Sequence, residues 1–285
     1  MRRLAAAFQQ IESGAEAPHS KSVNELRTLY RYRQLIVALT ARDLKARYRG
    51  SILGFFWSLA NPLLLLGVYT LVFTIFFPQQ VVRNYPLFLF AGILPWTFFS
   101  AAVLESTNSI SGNAGLIKKV MFPAEALPLV VVFSHLVHFA LALPILFAAM
   151  IVYAALGLAT IPATALLVPF LMILQTIFVA GVVMCVASAS VLLRDLRDII
   201  ANLIQLGFFI TPIIYLIDNI PSRLLRAVLR LNPMTPFVVS YQDVLFFGHL
   251  PGLADTMLMI AYAFASMLAG FVVFDRLRDT LAEAI

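Results

Sequence analysis

The sequence predicts an all-α, polytopic membrane protein with six transmembrane helices, a cytoplasmic amphipathic helix ahead of them and a re-entrant helical hairpin between spans five and six. Of its 285 residues, 61% are hydrophobic and only 12% are charged, which lies outside the range of soluble domains. Six long apolar stretches fill most of the chain between Ile52 and Phe274. Because a helix needs about 20 mostly apolar residues to cross about 30 Å of hydrocarbon, each stretch is interpreted as a membrane span.

The region before the first span divides into a mobile cytoplasmic tail, residues 1–22, and an amphipathic helix, residues 23–50. It is rich in Lys and Arg, so it does not resemble a cleaved secretory signal. One helical stripe of this region is polar: Arg27, Arg31, Gln34, Arg42, Lys45 and Arg49. The opposite face is apolar: Leu29, Tyr32, Ile36, Leu39, Leu44 and Tyr48. Such a helix is expected to lie among the lipid headgroups, either as a simple anchor or with its cations toward a partner.

The membrane domain is predicted to occupy residues 51–275, followed by a cytoplasmic tail, residues 276–285. The predicted spans are 52–77, 86–104, 126–155, 163–193, 199–217 and 253–274. An even number of spans places both termini on the same side. Sixteen of the 20 Lys and Arg residues fall on that side, and the other four are Arg83, Arg223, Arg226 and Arg230. The positive-inside rule therefore predicts that both termini are cytoplasmic.

Two connections carry patterns of their own. Residues 113–123 can form a short helix with Leu116, Ile117, Val120 and Phe122 beside two lysines, which is either a knob that docks on another protein or a turn of interfacial helix. Residues 221–248 are too short and too polar for a full crossing, but Pro221 and Pro236 each open a helical segment. Together these two segments predict a hairpin that dips into the outer leaflet and is buried against protein or a water-filled path.

No residue pattern indicates catalysis. The chain lacks a phosphate-binding Gly-rich loop and the motifs of zinc peptidases and serine hydrolases. His135 and His138 have no Cys, Asp or Glu near them in sequence, so no metal site is expected. The single Cys185 excludes an internal disulfide, and the basic residues fit membrane orientation better than nucleic-acid binding.

Several segments resemble, in the right order, the type-2 ABC transporter permeases that export O-antigen, capsule or teichoic acid polymers. The likeness covers about residues 30–275, and its motifs lie at 42–62, 85–99, 113–123, 194–198, 211–215 and 231–234. The resemblance implies a permease subunit in the bacterial cytoplasmic (inner) membrane that exports a lipid-linked polysaccharide. It further implies a homodimer of this chain and a separate dimer of ABC ATPase subunits. This chain would bind no cofactor, since ATP and Mg²⁺ would be held by the partner.

The resemblance also assigns roles to particular residues. The amphipathic helix would be a cytoplasmic gate helix, with Arg42, Asp43, Lys45, Arg47, Tyr48 and Arg49 as its functional residues. Residues 113–123 would be the coupling helix that sits in the ATPase cleft, through Asn113, Leu116, Ile117, Lys118, Lys119, Phe122 and Pro123. A channel at the subunit interface would be lined partly by aromatic side chains. The candidates for its lining are Trp57, Asn61, Tyr69, Phe73, Trp96, Phe99, His135 and Gln205.

Three alternatives belong to other classes or substrates. An ion-coupled carrier would place ionisable residues at the bilayer midplane and often carry internal repeats, whereas this sequence offers only histidines and amides there and shows no repeat. A membrane-embedded glycosyltransferase would need cytoplasmic carboxylates, for which only Asp195 and Asp198 are candidates. A type-2 ABC exporter of a small molecule or drug is the nearest alternative, and polymer export is preferred to it on the resemblance alone.

Overall fold

The structure is a computed structural model that describes residues 33–50, 56–76, 82–113, 115, 124–193 and 195–284. Of residues 48, 58, 73, 74 and 278–284 only the backbone is described. The described residues form helices and no strand. The α-helices are α1 (Arg33–Tyr48), α2 (Trp57–Leu71), α3 (Tyr85–Ser106), α4 (Ala126–Ala155), α5 (Val168–Leu192), α6 (Leu196–Ile210), α7 (Arg223–Arg230), α8 (Thr235–Gln242) and α9 (Leu253–Ala284).

Four helical segments in the described part of the chain are long and apolar enough to cross a membrane. They are Tyr85–Ser106, Ala126–Ala155, Ala163–Leu192 and Leu253–Leu277. The third includes a 3₁₀ turn, Ala163–Leu167, that leads into α5. These four segments correspond to the second, third, fourth and sixth predicted spans. The chain is therefore an all-helical, polytopic membrane protein.

The first and fifth predicted spans contain shorter α-helices than the other four, and residues 52–55 and 77 of the first lie outside the described part of the chain. α2 has 15 residues and passes into a π-helical turn at Val72–Phe76. α6 also has 15 residues, about 22 Å at 1.5 Å per residue. It ends at Ile210 rather than at residue 217 because Thr211 is extended, as residues preceding a proline usually are.

The helix ahead of the membrane domain packs against protein. Ile36 and Leu39, from the apolar face of α1, are buried against the bundle, where α1 contacts α4. Thr40, on the same helix, is also buried and donates a hydrogen bond to the Ile36 carbonyl at 2.9 Å. The apolar face was expected to rest among lipid headgroups, but this part of it covers α4 instead. α1 is therefore positioned by the rest of the helical bundle.

Two glycines bring α5 and α9 into backbone contact. A Cβ atom at Gly181 would lie 2.2 Å from the Ser266 carbonyl carbon, and one at Gly270 would lie 2.6 Å from the Gly181 carbonyl oxygen. The Ser266 hydroxyl donates to the Phe178 carbonyl of α5 at 3.1 Å. Small residues of this kind allow membrane helices to approach closely, where van der Waals packing replaces the hydrophobic effect.

The segment between the fifth and sixth predicted spans forms two short helices, α7 and α8, and a π-helical turn, Asp243–Phe247. Ser222 caps α7 by accepting a hydrogen bond from the Leu225 amide. α8 is buried along nearly its whole length, and Phe237 stacks on Phe178 of α5 with ring centroids 5.2 Å apart. The Gln242 side-chain amide donates to the carbonyls of residues 212 and 213 at 3.2 and 3.3 Å. α8 is thus fixed to the bundle both by packing and by hydrogen bonds.

Candidate functional site

The strongest polar arrangement that the structure describes joins α1, α3 and α4 at one carboxylate. Glu105 lies in the last turn of α3, and its Oε2 is 2.8 Å from the His135 Nε2 of α4. Its Oε1 accepts a hydrogen bond from the Arg47 guanidinium of α1. Arg47 also donates from Nε to Asp43 Oδ2, one helical turn earlier, at 3.1 Å. Asp43, Arg47, Glu105 and His135 are called the Glu105 cluster below.

The Glu105 cluster is partly shielded from solvent. The exposed fraction is 11% for the His135 side chain, 28% for Arg47 and 35% for Glu105. Burial opposes the charge of Arg47, but the nearby Glu105 and Asp43 carboxylates outweigh it and raise the pKa of Arg47. The guanidinium therefore stays charged, and it connects a carboxylate of its own helix to a carboxylate of α3.

Two cavities meet at the Glu105 cluster. The first, of about 260 Å³, is lined by residues of α1 to α4, among them Arg47, His135, Trp57, Asn61 and His138. The second, of about 280 Å³, is lined by Asp43, Glu105, Asn108 and Asn113. The first is called the inner cavity below, and the second is called the outer cavity. Each cavity is therefore lined by two side chains of the Glu105 cluster.

The predicted gate-helix residues fall on different sides of α1. Arg47 pairs with Glu105 of α3 and with Asp43 of its own helix, and Arg42 lines the outer cavity with Asp43. Lys45 and Arg49 are exposed. Only the backbone of Tyr48 is described. The structure thus distinguishes Arg47, which is paired with α3, from the exposed Lys45 and Arg49.

The predicted channel-lining residues whose side chains are described do not form one surface in this chain. Trp57, Asn61 and His135 line the inner cavity. Trp96 of α3 is buried, and its ring centroid lies 6.1 Å from that of Phe208 of α6. Phe99 of α3 stacks on Phe178 of α5. The remaining candidates lie apart from the cavity or outside the described side chains: Tyr69 is half-buried on α2, Gln205 is exposed on α6, and the Phe73 side chain is not described. Which of them line a channel stays a prediction.

Most of the predicted coupling segment lies outside the described residues. This applies to Leu116, Ile117, Lys118, Lys119, Phe122 and Pro123. Asn113 is described, in a 3₁₀ turn at Ser111–Asn113, where its side-chain amide donates to the Ser109 carbonyl at 2.9 Å. Ile110, just before that turn, is fully buried with Met184 of α5 and Phe274 of α9. The start of the segment is therefore anchored on the bundle.

α6 leaves a long face uncovered. None of its residues is buried, and its exposed side chains are Arg197, Asp198, Ile199, Asn202, Leu203, Gln205, Leu206, Phe209 and Ile210. Amides among large apolar side chains would be costly if this face were exposed to lipid. Such a face is typical of a surface that another helix covers.

Sequence reasoning missed Glu105. The second predicted span ended at residue 104, so Glu105 was assigned to the connection, whereas α3 continues to Ser106. The available signal was a lone carboxylate within one turn of a long apolar stretch, which usually has a partner inside the bundle. In the described ranges, no group of three or more His, Cys, Asp and Glu side chains is arranged to hold a metal ion.

Asp243 directly follows α8, at the start of the π-helical turn. Burial raises the pKa of Asp243 to about 6; the Asp255 and Asp218 carboxylates act in the same direction, and His249 acts in the opposite one. A carboxyl that binds its proton more tightly in the folded state makes stability fall as the pH rises, here from about pH 4 to pH 6. Asp243→Asn is therefore expected to melt at a higher temperature than the parent protein at pH 7.5, with the difference shrinking at pH 5. Thermal unfolding in detergent at both pH values measures this. Asp198→Asn, at an exposed carboxylate on α6, is the control, and an equal shift in both variants would contradict the assignment.

Comparison with known proteins places this chain in a family. Residues 34–246 match the family model described as ABC-2 type transporter. The chain is 37% identical over 261 residues to the O-antigen export system permease protein RfbA of Myxococcus xanthus, covering 91% of this chain and 98% of that protein. It is 32% identical over 251 residues to RfbA of Klebsiella pneumoniae, covering 88% and 95% respectively. These matches cover most of the chain, which therefore belongs to the ABC-2 type transporter family.

Proposed function

We propose that this protein is the permease subunit of an ABC transporter that exports a lipid-linked polysaccharide, such as an O-antigen, across the bacterial inner membrane. The observation that carries the proposal is the similarity to O-antigen export permeases along nearly the entire length of both chains. ATP hydrolysis takes place on a separate ABC ATPase dimer, and this chain provides the membrane path.

The proposed topology has six crossings with both termini in the cytoplasm. Four crossings use the helical segments that are long enough by themselves, and the other two use α2 with its π-helical turn and α6 with the residues that follow it. The distribution of Lys and Arg supports this orientation. α7 and α8 then form the hairpin on the outer side, where the burial of α8 meets the requirement that a partial crossing be covered by protein.

The proposed assembly pairs two copies of this chain. The uncovered face of α6, which carries Asn202 and Gln205 among apolar side chains, supports a partner helix there. α2 presents a similar apolar face through Leu63, Leu64, Val68 and Leu71, all of which are exposed. A path for a glycan between two such faces would be wetted by amides and bordered by aromatic side chains, which can contact sugar rings.

The test is affinity purification of the tagged full-length chain from its native membrane in a mild detergent. We expect a co-purifying ATPase subunit, identified by mass spectrometry, in equal amount. Proteoliposomes of that complex should translocate a lipid-linked glycan only when ATP is present. An ATPase-inactive partner subunit is the matched control.

Two results would contradict the proposal. If the purified chain alone transports the glycan, the work does not come from a partner. If the complex moves small molecules with ATP but no lipid-linked glycan, the chain is an exporter of a different substrate class.

A further inference from the structure

We propose that Glu105 is a positioning residue that holds the gate helix, α1, against the membrane helices and so separates the inner cavity from the outer cavity. This inference rests on the proposed function, because it concerns how substrate access from the cytoplasmic side is controlled. Glu105 is not among the functional residues predicted from the sequence.

The first argument is the way that Glu105 divides its two oxygen atoms. Oε1 accepts from Arg47 of α1, and Oε2 lies 2.8 Å from His135 of α4. The only other ion pair that the described residues give Arg47 is with Asp43 of its own helix. Without the Glu105 charge, α1 would keep its apolar contacts with α4 but would lose its ionic connection to α3.

The second argument is the position of the cluster between two spaces. Arg47 and His135 line the inner cavity, while Asp43 and Glu105 line the outer cavity. The bonds from Glu105 to Arg47 and His135 therefore form a part of the wall between the two cavities. Separating these side chains would open that part of the wall.

The third argument is the connection to the coupling segment. Glu105 lies near the end of α3, His135 lies in the third turn of α4, and the chain between these helices contains residues 113–123. Because this segment follows α3 and precedes α4 in the chain, an ATPase partner that moves it is expected to change the distance between Glu105 and His135. The Glu105 cluster is thus placed where movement of the segment can be converted into release of α1.

The experiment is a double-mutant cycle that measures access to the inner cavity. Ala101 lines that cavity, so Ala101→Cys is introduced into a Cys185→Ala background, and its reaction with a membrane-impermeant maleimide is followed from the cytoplasmic side. The assay uses the complete complex with its ATPase. Glu105→Gln, Arg47→Gln and the double variant are compared with the parent, and Arg223→Gln, an exposed arginine of α7, is the matched control.

We expect Glu105→Gln and Arg47→Gln each to raise the labelling rate several-fold, and the double variant to raise it no further, because both changes remove the same interaction. The control should label at the parental rate. Unchanged labelling in Glu105→Gln, or effects that multiply in the double variant, would overturn the proposal.

Two further readouts separate this inference from the proposed function. Each variant should elute as the parent does and retain its ATPase partner, which shows that the fold is intact. Faster labelling should be accompanied by a higher rate of ATP hydrolysis in the absence of glycan, since a purely structural loss would lower that rate. If the parental protein itself has no ATPase partner, the proposed function fails, while the labelling cycle on the purified chain still reports whether Glu105 closes the cavity.

Discussion

Gly181→Val is expected to abolish recovery of folded protein, because α5 and α9 cannot then cross where they do. The added Cβ would lie 2.2 to 2.4 Å from three backbone atoms of residues 266 and 267. Backbone atoms cannot rotate aside as the end of a side chain can, so the two helices would have to separate. Overpacking a core usually costs about 1 to 3 kcal/mol, and a forced separation of two backbones exceeds that range.

The measurement is the amount of monodisperse permease in size-exclusion chromatography of detergent extracts, with a fluorescent tag on the chain. Gly67→Val is the matched control, since a Cβ at Gly67 of α2 meets no atom within 4 Å. We expect the control to elute as the parent does. A normal peak for Gly181→Val would show that α5 and α9 do not cross in backbone contact.

The paired substitution Lys118→Glu and Phe122→Ala is expected to abolish co-purification of the ATPase subunit and therefore export. The resemblance to type-2 ABC exporters implies that these two side chains enter a cleft of that subunit. At protein interfaces, the largest losses of binding free energy come from truncating a buried apolar anchor or reversing a charge that has a partner of opposite sign. A loss of about 2 kcal/mol or more of binding free energy per anchor, as is typical of such positions, is enough to dissociate a complex during purification.

Pull-down of the ATPase subunit and glycan export in cells are the two readouts. Arg226→Glu with Leu224→Ala makes the same kind of change on α7, where Leu224 is 76% exposed, at the proposed opposite side of the membrane. This control should keep its ATPase partner. An unaltered complex and unaltered export for the Lys118 and Phe122 variant would remove residues 113–123 from the proposed interface.

Hydropathy predicted the long helices well because their length is set by the membrane. α4, Ala126–Ala155, begins and ends where the apolar stretch does, since its limits are the polar connections themselves. α6 is different because its apolar stretch continues beyond Thr211, and only the extended backbone before Pro212 ends the helix. Local backbone restrictions therefore decided boundaries that composition left open.

Contacts between helices were not accessible from one sequence. The spacing of Ile36 and Leu39 showed an apolar face on α1 but not whether lipid or α4 would cover it. Gly181 and Gly270 are 89 positions apart, and nothing local to either shows that they meet. Glu105 was missed for the same reason, because its partners Arg47 and His135 come from helices on either side of α3 in the sequence.

The close crossing of α5 and α9 has a consequence for where the molecule can deform. Two helices whose main chains touch at Gly181 and Gly270 have no flexible side chain between them at that point, so we expect them to move as one body. α9 is about 48 Å long at 1.5 Å per residue, and α8 is attached to the same body through Phe237 and Phe178. During a transport cycle the later part of the sequence would act as the stationary frame, and displacement would be concentrated in α1 to α4.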